Sequence, residues 1–132
     1  MAGSNGRQFV KYNFYKVAPE WRRLPENERS AGKRELAAVI EEYAGNMFIR
    51  SFSLVGIRCD ADFMLWQASD TLEGLQEMAT HVFRTALGRY LEQPYSYLSM
   101  TRRSEYVGGH RHTDQEGTGQ RLRLGDAKYF VV

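Results

Sequence analysis

The chain has 132 residues, 42% hydrophobic and 26% charged, with 18 basic against 16 acidic side chains. That length fits one domain able to bury roughly 68% of its unfolded surface. A net charge of +2 argues against nucleic acid or an anionic membrane as partner, and no apolar run approaches the ~20 residues of a bilayer span. The single cysteine, Cys59, excludes an internal disulfide and fits a reducing cytoplasm.

Residues 1–8, MAGSNGRQ, lack the apolar core of a secretory signal and read as a disordered lead-in. Phe9 to Val17 is rich in strand formers; Val10, Tyr12 and Phe14 alternate with Lys11 and Asn13, which predicts a half-buried strand. Pro19 and Pro25 bracket a connector with one helical turn near Trp21. A helix is expected from Pro25, with Leu36, Val39, Ile40 and Tyr43 as its apolar stripe and Gly45 as its stop.

Two strands follow, near Met47–Val55 and Asp62–Ala68, joined by a hairpin connection. Asp70 with Glu73 has the spacing of a capping box. It opens a second helix through Leu72, Leu75, Ala79, Val82, Phe83, Ala86 and Tyr90, ending before Pro94. Tyr95 to Thr101 reads as a fourth strand.

The order strand, helix, strand, strand, helix, strand is that of an α+β, ferredoxin-like βαββαβ unit: a four-stranded antiparallel sheet with both helices on one face. A sheet with one wet face alternates cleanly. The second and third strands do not. Met47, Ile49 and Val55 oppose Phe48, Phe52 and Leu54, and Met64 and Trp66 oppose Phe63 and Leu65. The helix-free face is therefore expected to be covered by a second sheet. Residues 9–101 form the domain on this reading, 102–126 a Gly-rich linker, and 127–132 the start of a further strand.

Three segments carry a likeness. GIRCDADFMLWQAS (Gly56 to Ser69), ALGRYLEQPYSYLSMTRRSEYV (Ala86 to Val107) and the closing KYFVV together resemble the chlorite dismutase-like family, whose largest branch is the coproheme decarboxylases. FYKVAPEWRRLP adds to it. The resemblance spans Phe9 to Val132 and concerns the first of the family's two ferredoxin-like halves, with KYFVV placed as the start of the second. The complete enzyme it implies binds haem, as coproheme or haem b, and forms pentameric rings. A decarboxylase uses peroxide to convert two propionates to vinyls; a dismutase splits chlorite. The family's haem histidine lies in the second half, so no cofactor is expected on this chain alone, and its partners are that half, on the same or a separate chain, and further copies.

Within the chain, the resemblance points to Arg121 and Arg123 as ligands of the haem propionates. A planar guanidinium donates two parallel hydrogen bonds to a carboxylate. The other candidates read more simply. His110 and His112 form H-x-H in a Gly-rich stretch with only Asp114 and Glu116 nearby, too few fixed ligands for a metal. His81 reads as a partly exposed helix histidine and Cys59 as an unactivated thiol. Asp60 and Asp62 read as carboxylates that cap a turn or bind its backbone N–H groups. Tyr12, Trp21 and Trp66 read as core rather than an electron path. A second reading remains open: a self-sufficient single-domain protein that dimerises through its sheets as an α+β barrel, a small monooxygenase or ligand-binding module.

Overall fold

The structure is a computed structural model, described over residues 6–101. Strand β1 (Phe9–Val17) leads through a 3-10 turn (Pro19–Arg23) to helix α1 (Glu26–Ala44). Strands β2 (Phe48–Ser53) and β3 (Phe63–Ser69), helix α2 (Leu72–Arg84), a second 3-10 turn (Gly88–Tyr90) and β4 (Leu91–Met100) follow. The strands form one antiparallel sheet in the order β2-β3-β1-β4. The ferredoxin-like expectation is met.

Both helices lie on one face, α1 against β2 and α2 against β3. The core between them holds Tyr15, Leu36, Leu65, Leu75, Met78, Val82 and Leu91. Pro25 is the N-cap of α1, its carbonyl accepting from Glu28 N and Arg29 N, each at 3.1 Å. Trp21, from the connector, packs on α1 where Gly32 leaves room: a Cβ there would stand 2.5 Å from its ring.

Several local expectations shift. The cap of α2 is Thr71, not Asp70; its Oγ1 accepts from Gly74 N at 3.1 Å. The helix stops at Arg84, well before the expected end. Thr85 turns the chain, its Oγ1 accepting from Gly88 N at 2.8 Å while donating to Val82 O. Gly45 does end α1, but at φ −70°, so the left-handed conformation that favours glycine is not used. β4 starts at Leu91 and takes Pro94 within it, which an edge strand tolerates. Val55 falls outside β2, 69% exposed in the β2–β3 connection. Asn13, placed on the polar side of β1 by alternation, is buried.

Candidate functional site: the helix-free sheet face

Strand register sorts the side chains of the helix-free face into three rows, one residue per strand. Arg50, Trp66, Tyr12 and Tyr97 make the middle row; Phe52, Met64, Phe14 and Tyr95 make the next; Phe48, Ala68, Val10 and Ser99 make the third. Pleating puts alternate residues on one side, so a register set by the helix-side core also builds this aromatic layer. Phe14, Ala61 and Met64 form its buried centre, with Tyr12, Phe52, Leu54 and Trp66 packed around them. No helix residue belongs to that cluster. Tyr12 stacks on Trp66 at 5.9 Å, and Phe14 meets Tyr95 and Tyr97 edge-on, each at 6.1 Å.

One end of the layer is closed by the β2–β3 connection. Arg58 donates from Nε and Nη2 to the two oxygens of Asp60, both at 2.7 Å. Its guanidinium also sits over the rings of Phe14 and Tyr95, at 5.8 and 5.4 Å. The hydrogen bond from Arg58 is the largest influence holding the Asp60 carboxyl well below the usual carboxylate range, with a hydrogen bond from Tyr95 next. That bond with Asp60 also raises the Arg58 guanidinium, and the separate hydrogen bond from Tyr95 to Asp60 raises the Tyr95 phenol.

Asp62 works on the other edge of that connection. Its N–H donates to Tyr15 O and its Oδ2 accepts from Val17 N, both at 2.7 Å. These bonds carry the β1–β3 pairing beyond Tyr15, level with a bulge in β4, where Gln93 and Pro94 oppose the single Tyr15. Lys16 Nζ donates to Cys59 O at 2.9 Å. Gly56 turns the chain at φ +81°, a region that favours glycine, and its neighbours Val55 and Ile57 project outward.

On the helix side, a polar chain crosses the sheet beneath α2. Asn13 Nδ2 donates to Gln67 Oε1 at 2.7 Å, and Asn13 Oδ1 accepts from Gln93 Nε2 and Ser96 Oγ. Gln67 Nε2 donates to Met78 Sδ. Each buried amide is thus satisfied by a partner from a neighbouring element, which ties β1, β3, β4 and α2 to one register. A shallow groove of about 550 Å³ lies nearer the 3-10 turns, between Trp21, Leu24, Ala31, Ala86 and Tyr90, with Glu28 and Arg89 at its rim.

The candidate residues fall as follows. Arg121, Arg123, His110 and His112 lie outside the described residues. Cys59 is exposed. Tyr12 and Trp66 come together, while Trp21 belongs to the helix side. Asp60 bonds to Arg58, and Asp62 binds a backbone N–H as expected, though that of Val17 in β1 and not one within the turn. Two features escaped sequence reading, the Arg58–Asp60 clamp and the Asn13–Gln67 pair. Phe9, Tyr15 and Val17, apolar residues on the same alternation as Asn13, were the available signal for the second.

His81 is the histidine among the described residues. Its Nδ1 lies 3.0 Å from Tyr43 Oη, with the rings edge-on across the α1–α2 contact. The groove beside Trp21 has no histidine, cysteine or methionine in its wall. Among the described residues no cluster of three or more metal-ligating side chains occurs, and no helix is long and apolar enough to cross a membrane.

A ferredoxin-like α+β unit with one face under helices and an aromatic layer on the other defines the class of protein. The chlorite dismutase family model matches residues 29–132, and the chain belongs to that family. It is 37% identical over 60 residues to a coproheme decarboxylase of Mycolicibacterium smegmatis, a stretch that covers 45% of this chain and 26% of the relative. A chlorite dismutase structure from Candidatus Nitrospira defluvii, in complex with imidazole, superposes with a TM-score of 0.72 at 23% identity, covering 83% of this chain and 46% of that one. A haem-binding protein from Thermus thermophilus gives 0.63 at 25% identity, covering 71% and 40%. The chain spans half or less of the length of these relatives.

Proposed function

We propose that the chain is the amino-terminal scaffold half of a haem-dependent chlorite dismutase-like protein, in particular a coproheme decarboxylase, cytoplasmic and oligomeric. The observation that carries this reading is the aromatic layer on the helix-free face. Covering Tyr12, Phe52, Trp66, Tyr95 and Tyr97 with a second sheet removes their remaining apolar surface from water, at about 25 cal/mol per Å². A second ferredoxin-like half is the partner of matching shape, since aligned sheets pack face to face about 10 Å apart. The coproheme decarboxylase relative at 37% identity supports that branch over the dismutases.

On this reading residues 9–101 are the domain, 102–126 the linker and 127–132 the first residues of the second half. The bound haem supplies the oxidative chemistry of the complete protein, and the second half supplies its ligand. The described residues of this half build the sheet and its clamps; Arg121 and Arg123 hold the propionates. The test is a coproheme titration followed by the Soret band. The 132-residue chain alone gives no shift, and the longer protein gives one that weakens on Arg121→Ala or Arg123→Ala. Stoichiometric binding by the chain alone refutes the scaffold reading and favours the self-sufficient dimeric barrel.

A further inference from the structure

The β2–β3 connection, residues 54–62, folds back onto the helix-free face. Leu54 and Ala61 pack there with Phe14 and Met64, and Ala61 is fully buried. Arg58 reaches further across, over Phe14 of β1 to Tyr95 of β4. The connection is therefore a strap over one end of the face. It roofs the centre of the row Phe52, Met64, Phe14 and Tyr95, where Phe14 and Met64 are buried. Phe52 and Tyr95, at the two margins of that row, stay partly exposed.

Local bonds fix the shape of the strap. Leu54 N donates to Asp62 O at 2.8 Å, and Ile57 N and Arg58 N both donate to Leu54 O, at 2.9 and 3.0 Å. Its charges are paired close by: Arg58 with Asp60, and Asp62 with Lys16 of β1, 3.9 Å away. Its tip carries Val55 and Ile57, both apolar and outward. A neighbour can press on such a surface without stranding an ion, and a loop already held in one shape costs little ordering on contact.

A second sheet on the helix-free face meets this strap. Sheets packed face to face lie about 10 Å apart, and the strap stands in that gap. The second sheet has the middle and third rows open to it and has to end against the strap. We propose that the strap is the end wall of the inter-sheet layer, with Arg58 as its positioning residue, and that it sets how far the second half reaches along the strands. This rests on the scaffold reading and adds to it the register between the two halves.

The test compares the 132-residue chain with the longer protein. Cys59 lies on the strap and is exposed, so its alkylation by N-ethylmaleimide, followed by peptide mass spectrometry, reports on the end wall. Hydroxyl-radical labelling of Trp66 reports on the middle row, and that of Phe48 on the row farthest from the strap. In the longer protein Cys59 alkylation slows several-fold, and Trp66 and Phe48 are protected. Arg58→Ala and Asp60→Asn each break the charged fork; both are checked for folding by far-ultraviolet circular dichroism. In either variant of the longer protein the second half slips towards the loosened end, so Phe48 labelling rises while Trp66 stays protected. A protected Trp66 with Cys59 as reactive as in the chain alone overturns the end wall and leaves the scaffold reading standing. Phe48 protection unchanged in both variants overturns the positioning role of Arg58. An unprotected Trp66 removes the second sheet, and the end wall with it.

Discussion

Replacing Gly32 by alanine tests how the connector is held on α1. Glycine to alanine in an open helix interior stabilises by about 1 kcal/mol. Here the new methyl would stand 2.5 Å from Trp21 Cη2, 3.2 Å from Cζ3 and 3.1 Å from Leu87 N. The indole has little room to retreat. It is buried, and its ring leans on Tyr90 with centroids 5.5 Å apart. Leu87 N is backbone. Overpacking of this kind costs roughly 1–3 kcal/mol, and a contact this short belongs in the upper half of that range. The expected net effect is a loss of about 1–2 kcal/mol. Gly45→Ala is the control, since its nearest contact would be an ordinary 3.6 Å and its backbone is already helical. It should be neutral or gain up to ~1 kcal/mol. Urea denaturation of both variants, with Trp fluorescence as probe, measures the gap of roughly 2 kcal/mol. Equal or greater stability for Gly32→Ala than for Gly45→Ala would refute the reasoning.

Two further changes probe the clamps. Asn13→Ala strands the buried amide of Gln67 and removes the acceptor of Gln93 and Ser96, so chemical denaturation should show a loss of about 1–3 kcal/mol; a loss under about 0.5 kcal/mol contradicts a working network. Asp60 is held below the usual carboxylate range, so its contribution is present above its unfolded pKa and is lost only as pH falls through the lowered folded value. Its carboxyl carbon shift should therefore stay flat between about pH 6 and about pH 3, and an ordinary titration curve there would show that the Arg58 pair does not persist in solution.

The order of elements was legible because each helix and strand carries its own period. The i, i+3, i+4 spacing in α1 and the strand formers of β1 needed no tertiary information. Boundaries were less so. The apolar series through Ala86 and Tyr90 kept helical spacing after the backbone had left the helix, because Thr85 redirects it with two short hydrogen bonds. The two-sided apolar character of β3 was also legible and locates the aromatic layer. The Arg58 clamp was not: its partners are two residues away in Asp60 and far along the chain in Phe14 and Tyr95. Asn13 misled for a related reason, since a polar side chain on an apolar strand reads as solvent-facing unless its distant partner Gln67 is known.

The reading rests on a second β-layer over the aromatic rows, and hydroxyl-radical footprinting tests it on residues far from the β4 edge. Phe52 on β2 and Trp66 on β3 should be labelled in the 132-residue chain and protected several-fold in the longer protein, with labelling of Leu72 on α2 unchanged. Equal labelling of Phe52 and Trp66 in both would contradict a second sheet on this face.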